Sequence, residues 1–205
     1  KEFSAIGYVF GRRLAMAAGV LIGLIDASIG GTTVEAWTPE DVLKKIDGQE
    51  TRDMMKSWVD KIAAFDPKAD LQKRIDSYNA AKEKGKAKGS VPTDLRPGPA
   101  GDKNRPGCRY ASVIQPLTGL AIKGAVFHHG FNNCFGGSAG ARMYYQVFGK
   151  MIAAWRQTFG DPALPFCIVS LCTAGEPQTW DNFLPPMYDV GPLIREAQYK
   201  TFLDL

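Results

Sequence analysis

The chain has 205 residues, 45% hydrophobic and 22% charged, which suits one domain or slightly more with a sizeable buried core. The net charge of +4 is mild, and much of the excess lies in Lys82-Glu-Lys-Gly-Lys-Ala-Lys88. No aromatics interleave with those lysines, so the run reads as a solvated loop or frayed helix end and excludes a nucleic-acid patch. No segment is apolar for long enough to suggest a membrane span.

Residues 5–18 carry Ile6, Val9, Phe10, Leu14 and Ala17 at helical spacing, and Gly19 follows as a stop. Val20-Leu-Ile-Gly-Leu-Ile25 is a short continuous apolar run, expected to be a buried strand. It ends in Asp26-Ala-Ser-Ile-Gly-Gly-Thr-Thr33, which is loop chemistry. Thr38-Pro-Glu-Asp41 is expected to cap a helix, with proline at the first helical position and acids in the first turn. Helical patterns run over roughly 40–65 and 68–84, separated by Asp66-Pro67. The stretch 85–112 is rich in glycine, proline and charge. Residues of about 40–112 therefore read as an insertion of two helices and a long loop over one face of a sheet.

Leu120-Ala-Ile-Lys-Gly-Ala-Val-Phe127 is the second expected strand. It runs into His128-His-Gly-Phe-Asn-Asn-Cys-Phe-Gly-Gly137, where imidazoles and side-chain amides follow an apolar run. Imidazoles move protons near neutral pH, and amides bond an oxyanion without carrying charge. A strong helix covers 138–159, with Met143, Val147, Met151 and Ala154 as its apolar stripe and Arg142, Lys150 and Arg156 facing out. Pro165-Phe-Cys-Ile-Val-Ser-Leu171 is a third expected strand, followed by the loop Thr173-Ala-Gly-Glu176 and a last helix over about 190–204. Three strands with helices between them are α/β, with a parallel doubly wound sheet. Ser28, Gly30, Gly31, His129, Asn133, Thr173 and Glu176 then share the edge where such sheets bind ligands.

The cysteines at 108, 134, 167 and 172 form no CxxC pair, which argues against structural zinc. Cys167 and Cys172 fall on opposite faces of a strand and are not expected to pair, while a Cys108–Cys134 bridge stays open. Adjacent strand residues His128 and His129 cannot easily join Cys134 on one ion, so no metal site is expected.

The block from Gly19 to Thr38, with Gly30-Gly-Thr-Thr-Val-Glu-Ala-Trp37 at its heart, resembles the second block of sialate O-acetylesterase-like carbohydrate esterases, a branch of the SGNH hydrolases. Ile114-Gln-Pro-Leu117 looks like the family's Ile-x-Pro-Leu. Val126-Phe-His-His-Gly-Phe-Asn-Asn133 lies where the family has Trp-Tyr-Gln-Gly-Glu-Ser-Asn. Trp155-Arg156, Pro165-Phe166 and Arg195-Glu-Ala-Gln198 match further short blocks.

The resemblance implies a three-layer, flavodoxin-like doubly wound sheet, here a single partial domain incomplete at both ends. It implies a serine hydrolase that releases acetate from acetylated sugars such as sialic acid or polysaccharide, with no metal or organic cofactor. Members of the family are often exported; the compartment and oligomeric state stay open. The family's Gly-x-Ser-Asn nucleophile block and Asp-x-x-His block have no counterpart in these residues, as expected of a fragment of a longer chain. What remains is the oxyanion hole: a backbone N–H from Gly30 or Gly31 and the side-chain amide of Asn133, with Asn132 competing for that role. Such a donor is typically worth about 3–4 kcal/mol of barrier.

His129, Asn132, Arg195 and Gln198 are candidate substrate contacts. His128 is expected to pack, Ser28 to hydrogen-bond its own loop, and Trp37, Trp58 and Trp155 to be core, with Trp180 a loop indole able to stack on sugar. Phe131 replaces the family's glutamate and His129 its glutamine, which suggests a subgroup with a different substrate. A non-catalytic carbohydrate-binding relative is the rival reading.

Overall fold

The computed structural model describes residues 3–172 and 190–205. The loop after the third expected strand, with Thr173 and Glu176, and Trp180 lie outside the described residues.

Helix α1 (Ala5–Ala18) forms as its periodicity predicts. Ser4 caps it by accepting from Gly7 N, and left-handed Gly19 ends it by donating to Ala15 O. The following run, expected as a strand, is the main departure. Residues 20–25 form no regular element and pair with no strand among the described residues. Leu21 is fully exposed, and Val20 and Ile25 are largely so. A buried strand needs a hydrogen-bonded neighbour and two covered faces, and here Leu24 lies against Gly11 of α1 while most of the run stays exposed.

The expected 40–65 helix is two. Helix α2 is short (Glu40–Leu43), and α3 (Gln49–Ala63) restarts after extended Gly48. Thr38 does not cap α2. Its hydroxyl donates back to Val34 O at 3.0 Å, closing a buried three-ten turn over Val34–Trp37, so α2 begins after Pro39 without a side-chain cap. Helix α4 (Pro67–Glu83) starts as its sequence directs, with Asp66 accepting from Lys68 N and Ala69 N and Pro67 in the first turn. The lysine run after it is solvent-exposed.

Strands β1 (Ala125–His128) and β2 (Phe166–Val169) pair in parallel, Ala125 opposite Phe166 and His128 opposite Val169. Helix α5 (Gly137–Thr158) is the crossover between them, so the described residues build α/β with a two-stranded parallel sheet and mostly helices. Burial on α5 is wider than its expected stripe. Tyr144, Phe148, Ile152 and Trp155 join Met143, Val147, Met151 and Ala154, because the helix is packed against the 34–37 turn, α3 and α6 at once. Helix α6 (Val190–Asp204) buries Ile194, Ala197, Gln198 and Thr201, a helical stripe laid on α5.

Trp37, Phe127, Phe148, Trp155 and Phe166 form one aromatic cluster where these elements meet. Trp37 and Trp155 are core as expected, while Trp58 is only half-buried. All four cysteines are free, so no Cys108–Cys134 bridge forms. No helix among the described residues is long and apolar enough to cross a membrane.

Candidate active site

Beyond the carboxyl end of β1 the chain turns sharply at Gly130, whose φ is +124°. A Cβ there would lie 2.7 Å from Ile194 of α6, so only glycine lets the loop pass. A three-ten helix over Phe131–Gly136 then carries Asn132 and Asn133 toward the 29–37 block.

Asn133 is 3% exposed and is held at both ends of its carboxamide. Its Oδ1 accepts from Val34 N at 3.1 Å, and its Nδ2 donates to Glu35 Oε2 at 3.2 Å. Asn132 is half-buried, donates from Nδ2 to Thr32 O at 3.2 Å, and lies beside Gly31. The two asparagines thus bridge the two loops that the sequence placed on one edge.

Gly31 occupies the left-handed region at φ +74°, which fits a tight turn. The insertion clamps that turn. Lys103 Nζ donates to Gly30 O at 2.9 Å, and Asn104 Nδ2 donates to Gly31 O at 3.1 Å. Thr33 N in turn donates to Asn104 Oδ1 at 3.0 Å. Both carbonyls are tied, while neither the Gly30 nor the Gly31 N–H meets an acceptor among the described residues. Fixed amide donors of this kind stabilise developing negative charge without reorganising.

Glu35 was not singled out from the sequence, although it stands in the Gly-Gly-Thr block. It is buried, and burial pushes its carboxyl pKa up from the usual range, offset in part by its own backbone and by the Asn133 amide. Lys103 and Asn104 were missed as well. They lie 73 residues from the glycines they hold, and only the fold reveals that contact.

Structure and expectation part company over the histidines. His128 was expected to pack and is exposed at the end of β1. His129 was expected to meet substrate. Its ring instead stacks on Phe127 at 4.9 Å and on Tyr144 at 6.0 Å, with both ring nitrogens shielded and without a well-formed hydrogen bond. Strand alternation explains the swap: His129 follows Phe127 on the core face, and His128 takes the other. Burial pulls the His129 pKa down from 6.5 to about 4, opposed by the Thr32 backbone and helped slightly by His128.

Gln198 is also engaged inside the fold. Its Oε1 accepts from Leu171 N at 2.9 Å and its Nε2 donates to His129 O at 2.8 Å, so it stitches the ends of both strands to α6. Arg195 is half-exposed one turn away, near enough to Cys134 to favour its thiolate, although burial dominates and raises that pKa. Ser28 donates to Asp26 Oδ1 within its own loop. Among the described residues no group of three or more His, Cys, Asp and Glu is placed to hold a metal.

No family model matches the chain. It is similar to the sialate O-acetylesterase of Rattus norvegicus, 29% identical over 156 residues, which are 76% of this chain and 26% of the relative. It is similar to the sialate O-acetylesterase of Homo sapiens, 26% identical over 215 residues, covering 99% of this chain and 33% of the relative. A solved carbohydrate acetylesterase from Xanthomonas citri superposes on 98% of this chain and 32% of its own, with a TM-score of 0.61 and 25% identity. The chain thus spans a third or less of the length of these relatives. The likeness read from the Gly30–Trp37 block is one to sialate O-acetylesterase-like carbohydrate esterases, and it runs through most of this chain.

Proposed function

We propose that these residues are the central part of a serine carbohydrate O-acetylesterase, carrying its oxyanion-binding edge. One observation carries the reading: Gly30 and Gly31 have their carbonyls clamped and their N–H groups open, beside the Asn132 amide, at the ends of an α/β core similar to known acetylesterases. The side-chain donor of the oxyanion hole is then Asn132. Asn133, the first choice from the sequence, is buried and held at both ends, so it positions the loop. Arg195 remains a candidate substrate contact on the same side, and His129 and Gln198 act as supports. The β1–α5–β2 unit is part of a three-layer doubly wound sheet, with about 40–112 as its insertion.

In the reaction, a serine Oγ from outside these residues attacks the acetyl carbonyl carbon as a histidine takes its proton. The carbonyl oxygen becomes an oxyanion facing the Gly31 N–H and Asn132. The ester C–O bond breaks and the sugar hydroxyl leaves with a proton delivered by that histidine, also from outside. Water then hydrolyses the acyl-enzyme to acetate.

The test is acetate release by the full-length protein from 4-nitrophenyl acetate and from an O-acetylated sialic acid. Release abolished by replacing the serine of a Gly-x-Ser-Asn block with alanine is expected. Sugar binding without any acetate release would instead leave the non-catalytic carbohydrate-binding reading.

A further inference from the structure

Behind the Gly31 turn lies a cleft of about 410 Å3, lined among others by Thr33, Glu35, Ser57, Trp58, Asp102 and Asn104. Its volume falls within the roughly 300–1,000 Å3 of small-molecule sites. Three segments far apart in sequence form it: α3 on one wall, the 102–104 loop on the other, and residues 33–35.

Both walls are fixed. Helix α3 is tied to α5 by Thr51 Oγ1 donating to Gln146 at 2.7 Å and by Gln146 and Arg142 donating to Glu50 at 2.6 Å. Trp58 stands seven residues beyond Thr51, on the same helical face. Lys61 lies over its indole, 5.4 Å from the ring centroid, and so takes one face of the ring, leaving the other for a ligand. On the other wall Asn104 bonds the 31–33 turn, and Asp102 accepts from Asn104 N at 2.7 Å.

We propose that this cleft is the subsite for the sugar ring of the substrate, with Trp58 as its packing platform. A pyranose presents a flat C–H face and a rim of hydroxyls. The indole suits the first, and Ser57, Asp102 and Asn104 suit the second. Hydroxyls both donate and accept, so they tolerate a lining that carries Lys61 and Asp102 together. The position fits as well. Asn104 of the lining bonds the Gly31 carbonyl, so the cleft adjoins the turn that carries the proposed oxyanion donors. This inference rests on the esterase reading for the identity of the ligand.

The experiment compares Trp58→Ala and Trp58→Phe in the full-length protein. Steady-state kinetics use 4-nitrophenyl acetate, which has no sugar, and an O-acetylated sialic acid. Titration calorimetry with the same sialic acid reads binding independently of turnover. Trp58→Ala is expected to raise KM and Kd for the sugar about tenfold, Trp58→Phe to recover most of that, and kcat/KM for 4-nitrophenyl acetate to stay unchanged. An unchanged sugar KM and Kd overturns the subsite, and so does an equal loss on both esters. If the wild type releases no acetate from either ester, the esterase reading fails alone, and the calorimetric comparison still decides the cleft.

Discussion

Asn133 and Glu35 satisfy each other inside the core, the asparagine donating at 3.2 Å while its oxygen accepts from the neighbouring Val34 N–H. One carboxamide therefore fixes the loop after β1 to the turn that carries the oxyanion glycines. Asn133→Ala leaves a carboxyl and a backbone N–H buried without that partner. Each costs about 1–3 kcal/mol, so a total loss of about 2–6 kcal/mol is expected in urea unfolding. A loss below about 1 kcal/mol would mean that the tie is dispensable.

Glu35 gives the tie a pH dependence. Burial raises its pKa in the folded state, so the folded state binds that proton more tightly than the unfolded chain does. The associated stability is fully present below the unfolded value near 4.5 and is lost as pH rises through the folded value. Glu35→Gln keeps an acceptor for Asn133 and removes the titration. The variant is expected to melt higher than the wild type at pH 8, with the gap closing toward pH 4.5. A gap that widens on acidification would reverse the assignment.

Asn132 and Asn133 are neighbours with separable roles. Asn132 is half-buried beside Gly31, and its side chain makes one hydrogen bond, to Thr32 O. Asn132→Ala in the full-length protein is expected to lower kcat about 100- to 1,000-fold on acetyl esters. KM should change little, because the interaction strengthens only as the oxyanion forms. Its effect on stability should stay near 0.5 kcal/mol, well below that of Asn133→Ala. Full turnover in Asn132→Ala would return the role to Asn133.

Helices with a clear end signal were legible, as α1 with Gly19 at its end and α4 with Asp66-Pro67 at its start demonstrate. The sequence put the glycine turn and the asparagine loop on one edge, but not the insertion residues that hold the turn. Nothing local to Gly30 or Gly31 announces Lys103 or Asn104, because a contact across 73 residues leaves no periodic trace. The run at 20–25 misled because apolar content reports a capacity to be buried, while a strand also needs a neighbour. Thr38 misled because its hydroxyl had two acceptable uses, and the buried Val34 carbonyl took it.

His129 supplies the last test, since its place in the fold and its expected contact with substrate predict opposite behaviour. Its imidazole is stacked between Phe127 and Tyr144, and its pKa falls to about 4. The folded state thus binds this proton less readily than the unfolded chain, whose value is near 6.5. The resulting stability is present above pH 6.5 and is lost progressively as pH falls toward 4, by up to roughly 3 kcal/mol. His129→Phe keeps a stacking ring and cannot be protonated. The variant is expected to lose about that much less stability than the wild type between pH 7 and pH 4, as read by urea unfolding at both values. Its KM for an O-acetylated sugar should be unchanged in the full-length protein. A raised KM with an unaltered acid profile would place the imidazole against substrate after all.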